Sequence, residues 1–142
     1  MGLQFGLLVL LVLKPEGNLL FEAVDFSVFS MVFYIAGFGI LMVAFFNLRP
    51  SLRVSPIPIP GAPLIVIGIY KYFRHPMYLG VLLIGLGIAM VKLDIFSIII
   101  WIGLFITLTV KASFEDMLLR QSHSSAGEYQ SKTLGLPRLR NA

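Results

Sequence analysis

Between Gly68 and Gly80 the chain reads GIYKYFRHPMYLG. Tyr70, Tyr72, His75 and Tyr78 place four hydrogen-bonding aromatics within nine positions, around the basic residues Lys71 and Arg74. Pro76 suits the first turn of a helix, where a missing N–H costs nothing, so the spacing predicts a helix from Met77 onward with Arg74 and His75 at its mouth. The free N–H groups of a helix start can seat an anion, and tyrosine faces attract cations. Such a cluster suits a small charged ligand. The same residues could instead form a membrane-boundary belt, with basic side chains snorkelling and tyrosines lying at the interface.

A second set lies downstream. Lys111 and Glu115 are four apart and share a helical face, which would also make a simple i,i+4 ion pair. Glu115 and Asp116 are adjacent and point to different faces, which argues against a paired-carboxylate hydrolase. Ser122, Ser124 and Ser125 lack the strand-to-helix elbow of a nucleophilic serine. The chain has no Cys, so disulfides, zinc–thiolate sites and cysteine nucleophiles are excluded. Its two histidines, His75 and His123, are far apart, and no metal site is expected.

The elements that must position these residues are apolar. Of 142 residues 58% are hydrophobic and 13% charged, with mean hydropathy +0.92. Soluble domains carry roughly 25% charged residues, so an integral membrane protein is expected, as a single all-α domain over 1–142. Gly2 to Leu13 is a short first span, over about 2–14, without the basic leader or cleavage site of a signal peptide. Phe26 to Phe46 has no charge and is long enough to cross a bilayer. Met77 to Val110 is too long for one crossing, and Lys92-Leu93-Asp94 marks a turn within it. This predicts two further spans, over about 76–92 and 94–111, packed as an antiparallel hairpin. Glycines on the second and third spans, among them Gly37 and Gly80, would permit close contact. A cytoplasmic helical tail follows, over 112–142.

Charge assigns the sides. Leu48 to Pro76 carries Arg49, Arg53, Lys71 and Arg74 and no acid, whereas Lys14 to Asp25 holds one lysine and three acids. The positive-inside rule then puts the loop over 48–75, the tail and both termini in the cytoplasm. The net charge of +4 follows from this orientation, so no nucleic-acid partner is expected. Five prolines between Pro50 and Pro63 predict an extended strap along the membrane surface.

Gly68, Tyr70, Arg74, His75, Pro76, Tyr78 and Gly80 resemble the signature Gly-x-Tyr-x-x-x-Arg-His-Pro-x-Tyr-x-Gly. It is the signature of membrane-embedded isoprenylcysteine carboxyl methyltransferases and related bacterial phospholipid-type methyltransferases. Glu115-Asp116 with Leu119 resembles the family's downstream acidic pair and leucine, and Tyr129 with Pro137-Arg138 keeps its tyrosine-to-Pro-Arg interval. Asp116 stands for a usual glutamate, SHSSAG replaces a Phe-Gly, and Lys132 stands for a second tyrosine. The resemblance implies packed transmembrane helices that bind S-adenosylmethionine at the cytoplasmic face of a bacterial inner membrane or its equivalent. A methyl group would pass to a lipophilic acceptor, such as an isoprenoid carboxylate or a lipid amine, entering from the bilayer. The implied cofactor residues are Ala62, Pro63, Leu64, Ile65, Tyr70, His75, Pro76, Met77, Tyr78 and Glu115. Arg74 and Lys111 are the implied catalytic-side residues, Lys111 as a substrate contact. An NADPH-dependent reductase of the sterol type and a non-catalytic membrane subunit are the competing expectations.

Overall fold

A computed structural model describes residues 2–13, 27–48, 67–92, 94–122 and 125–136. Those residues form five α-helices and one 3₁₀ turn: α1 (Gly2–Leu13), α2 (Ser27–Leu48), the turn Gly68–Lys71, α3 (Pro76–Lys92), α4 (Ile95–Ser122) and α5 (Ala126–Lys132). The proline-rich strap, including Ala62 to Ile65, lies outside the described residues, as do His123, Pro137 and Arg138.

α2 and α4 are long and apolar enough to cross a membrane. At 1.5 Å per residue, the 28 residues of α4 reach about 42 Å, well beyond a hydrocarbon core of about 30 Å. The helix runs unbroken past Lys111 to Ser122, because nothing between them breaks a helix, and its last turns carry Glu115 and Asp116. α1 and α3 are shorter apolar helices of 12 and 17 residues. The outward faces of α1, α2 and α4 leave Phe5, Phe29, Ile35, Phe38, Phe96 and Ile106 more than half exposed to any aqueous solvent. Surfaces of that kind belong against lipid.

The α3–α4 hairpin turns where Lys92-Leu93-Asp94 predicted. Asp94 caps α4: its Oδ1 accepts from the backbone N–H of Phe96 (3.0 Å) and Ser97 (3.1 Å), and its Oδ2 accepts from Ser97 Oγ (2.5 Å). Lys92 Nζ donates to Val12 O at 3.2 Å, which satisfies a carbonyl at the C-terminus of α1. Trp101 Nε1 donates to Leu82 O at 3.0 Å and holds the two arms of the hairpin together.

α2 packs along α3 through two glycines. A Cβ on Gly37 would come 2.7 Å from Gly80 O, and one on Gly80 would come 2.8 Å from Gly37 O. The helices therefore meet backbone to backbone, the arrangement small residues permit within a membrane. Gly68, with φ +57°, sits against the side chain of Asn47 and ties the 3₁₀ turn to the end of α2. Gly80→Ala should lower thermal stability in detergent by about 1–3 kcal/mol, although alanine is the better helix former. Gly39→Ala, with open space around the new methyl, should leave the melting temperature unchanged or raise it.

Candidate active site

The motif at the start of α3 and the acids of α4 meet. His75 immediately precedes α3, and its carbonyl accepts the first helical bonds, from Tyr78 N (3.1 Å) and Leu79 N (3.2 Å). This aims the imidazole across to α4, where it lodges between two carboxylates. Nε2 lies 3.0 Å from Asp116 Oδ1 and Nδ1 lies 3.6 Å from Glu115 Oε2. Tyr78 stacks on His75, with ring centroids 5.3 Å apart and planes within 5°, and its hydroxyl donates to Glu115 Oε1 at 2.6 Å. Arg74 Nη1 donates to Asp116 Oδ2 at 2.6 Å.

Glu115 and Asp116 do diverge by about 100° around the helix. They nevertheless serve one site, because a single imidazole fills the angle between them. The ring nitrogens of His75 face carboxylates, and the Tyr78 N–H is occupied by the His75 carbonyl.

Lys111 was expected either to pair with Glu115 or to contact a substrate. Its ammonium lies 5.0 Å from the Tyr78 ring centroid and donates to Gln4 Oε1 at 3.2 Å. Gln4 is the single polar side chain of α1, so the first helix reaches the site through it. Sequence reasoning passed over Gln4; the signal was an amide isolated in an otherwise apolar helix.

The tail closes the arrangement from one side. Phe73 and Leu134 form a parallel β-bridge, with Arg74 N donating to Leu134 O (2.9 Å) and Leu134 N to Tyr72 O (2.8 Å). Gly135 lies against the Arg74 guanidinium, which a Cβ there would have to displace. Tyr129 OH donates to Tyr70 O at 2.8 Å. Gln130 bonds the Arg120 guanidinium and donates from Nε2 to Asp116 O at 2.9 Å. Lys132, which stands where a second tyrosine was expected, turns outward into an exposed pair with Glu128. Such a pair adds little stability.

Arg74, expected on the catalytic side, is thus engaged by Asp116 and covered by Gly135. Its buried Nε has no hydrogen-bond partner among the described residues. Burial, and then the neighbouring Tyr129, push the Tyr70 hydroxyl up to about 12. Tyr129 is raised chiefly by burial, with Arg74 acting in the opposite direction.

The model of one protein family matches residues 16–126, more than three-quarters of the chain; its description is Phospholipid methyltransferase. The chain belongs to the phospholipid methyltransferase family. The matched region holds α2, α3, α4 and every member of the His75 cluster named above except Gln4, which lies before it, and the tail contacts beyond Ala126. For this membrane methyltransferase no curated protein and no solved structure gives a match.

Two predictions concern how the surrounding elements hold the site. Gln4→Leu and Lys111→Met, made singly and together, should show a coupling of about 0.6 kcal/mol in thermal unfolding, the usual size of a polar contact between membrane helices. Tyr70 has a folded-state value above its unfolded one, so its contribution to stability is complete below about pH 10 and fades as pH rises toward 12. Phenolate absorbance should show a step near pH 12 that Tyr70→Phe removes.

Proposed function

We propose that this protein transfers a methyl group from S-adenosylmethionine to a lipophilic acceptor, at a site formed by His75, Tyr78 and Glu115 where α3 and α4 meet. One observation supports it above the rest. Residues about forty apart in sequence, which match the family's two motifs, converge on one imidazole, with Tyr78 bonded to Glu115 at 2.6 Å and His75 bonded to Asp116 at 3.0 Å. Family membership supports the methyltransferase class.

The donor set suits that cofactor. Glu115 keeps about a quarter of its side-chain surface accessible, and its carboxylate can accept from an amine or from ribose hydroxyls. The Tyr78 and His75 rings offer aromatic surface to a cationic group. When bound, S-adenosylmethionine supplies a methyl group already activated on a sulfonium, so no protein nucleophile is required. The protein's contribution is to align donor and acceptor and to exclude water. Pro76 fixes the turn that aims His75, Met77 follows it in the first turn of α3, and the Tyr70 carbonyl accepts from Tyr129. Ala62 to Ile65, outside the described residues, are proposed as further cofactor contacts on the resemblance alone.

Lys111, held by Gln4 at the α1 side of Tyr78, is the proposed contact for the polar head of the acceptor. Its charge suits an anionic group on that head, although lysine lacks the two-pronged fork of an arginine. Arg74 acts as the anchor that keeps Asp116 and the tail in place. The acceptor's apolar chain would remain in the bilayer beside the exposed faces of the short helices. Four crossings, with the site, the tail and both termini on the cytoplasmic side, follow from the Lys/Arg distribution. One domain over 1–142 would carry all of this.

Titration of the purified protein in lipid nanodiscs should show saturable binding of S-adenosylmethionine that NADPH does not displace. His75→Ala and Glu115→Gln should each weaken it at least about ten-fold, the loss of one charge-assisted hydrogen bond, without preventing membrane insertion. Unchanged affinity in both variants would remove the assignment, and displacement by NADPH would favour a reductase.

A further inference from the structure

Asp116 is not among the residues proposed to touch the ligand, yet its side chain joins Arg74 to the imidazole of His75. Its Oδ2 accepts from Arg74, its Oδ1 faces His75 Nε2, and its carbonyl accepts from Gln130. Its side chain is 14% exposed. A guanidinium has only donors and is always protonated, so a carboxylate bonded to it at 2.6 Å is an acceptor. An imidazole nitrogen 3.0 Å from the same carboxylate must then carry a hydrogen. Of the two neutral tautomers, this selects Nε2–H.

The other nitrogen, Nδ1, lies 3.6 Å from Glu115 Oε2, too far for a hydrogen bond. Tyr78 already occupies Glu115 Oε1. In that tautomer Nδ1 turns an acceptor toward a second acceptor across a short gap. Two acceptors held in this way can share one donor that lies to the side of both.

We propose that Asp116 is a positioning residue: it fixes His75 as the Nε2–H tautomer and so presents Nδ1, beside Glu115, as a paired acceptor for the N–H or O–H groups of the bound ligand. The identity of that ligand as S-adenosylmethionine rests on the function proposed above; the tautomer does not. An amine or a ribose hydroxyl has the donors such a pair would take. The opposite tautomer would turn a donor toward Glu115 and leave one acceptor fewer for a ligand.

Asp116→Asn separates the two cases. An amide offers one acceptor oxygen where the carboxylate offered two. The oxygen should stay with Arg74, since an NH₂ facing a guanidinium is repelled. The NH₂ should then face Nε2 and force the proton to Nδ1. The measurement is nitrogen-15 NMR of histidine-labelled protein in nanodiscs at about pH 8, above the ordinary histidine range. A His123→Gln background leaves His75 as the single histidine.

The expected result is a neutral Nε2–H ring in the parent, inversion to Nδ1–H in Asp116→Asn, and return to Nε2–H in Asp116→Glu. S-adenosylmethionine affinity should fall about ten-fold with the inversion and recover with the glutamate. A parent ring that is Nδ1–H, or protonated on both nitrogens, overturns the assignment even if the asparagine variant fails to fold. An asparagine variant that keeps Nε2–H, or one that inverts with unchanged affinity, overturns it as well. Failure of the parent to bind S-adenosylmethionine overturns the ligand named here along with the proposed function, whereas a wrong tautomer overturns only the role of Asp116.

Discussion

The ion pair between Arg74 and Asp116 is the constraint on which the rest of the site depends. It joins the residue before the α3 mouth to the far end of α4, 42 positions later, with both side chains largely removed from water. Removing one partner of a buried pair leaves an uncompensated charge, at a cost of about 3–5 kcal/mol, so the two helix ends are held strongly in register. Everything else is built around that contact. His75 follows Arg74 directly and is drawn between the acids. Tyr78, one turn into α3, stacks on His75 and reaches Glu115. The tail then closes on the pair from outside, with Gly135 against the guanidinium and Gln130 on the Asp116 carbonyl.

The opposite end of the molecule makes this geometry possible. An error in the length of α3 or α4 would slide His75 past the acids. Asp94 fixes where α4 begins, and Lys92, at the last turn of α3, fixes where α1 ends. Trp101 fixes the spacing between the two arms. The glycine contact between α2 and α3 leaves little freedom of approach, because each new methyl would strike a carbonyl of the other helix. Glycine costs helix propensity at these positions, and the close packing it allows sets the position of α3 against its neighbour.

Much of this was legible in the sequence, for reasons that also mark where legibility ended. Pro76 announced a helix start, and Lys92-Leu93-Asp94 announced a turn, because both are local: one residue lacks an N–H and the other two cannot be buried in lipid without partners. The nearness of His75 and Glu115 was readable only through the family motif, since no local pattern relates residues 40 apart. The direction of Glu115 and Asp116 was inferred correctly, but its consequence was not. Helical geometry gives the angle between neighbours, and only the tertiary fold shows that one ring fills it. The roles of Gln4 and Gly135 were hidden for the same reason, although the lone amide of α1 was itself a local signal. Their partners, Lys111 and Arg74, lie in other elements, and the fitness of an amide or of a missing Cβ depends wholly on what stands opposite.

The placement of these charges at a helix junction, next to apolar surface, has a chemical logic under the proposed reaction. A carboxylate and an imidazole near low-dielectric material interact more strongly with a ligand's charges than they would in water, provided that each has a partner in the ligand's absence. Here each does. Asp116 has Arg74, Glu115 has the Tyr78 hydroxyl, and the Lys111 ammonium has Gln4 and the Tyr78 ring. The site is thus held in shape by its own hydrogen bonds before a ligand arrives. Methyl transfer by direct displacement gains most from such preorganisation, because its acceleration comes from alignment and from the exclusion of water. The tail contacts extend the same principle. Tyr129 and Gln130 bond main-chain carbonyls of Tyr70 and Asp116, so α5 holds the backbone around the site and leaves the side chains of His75, Tyr78 and Glu115 to face one another.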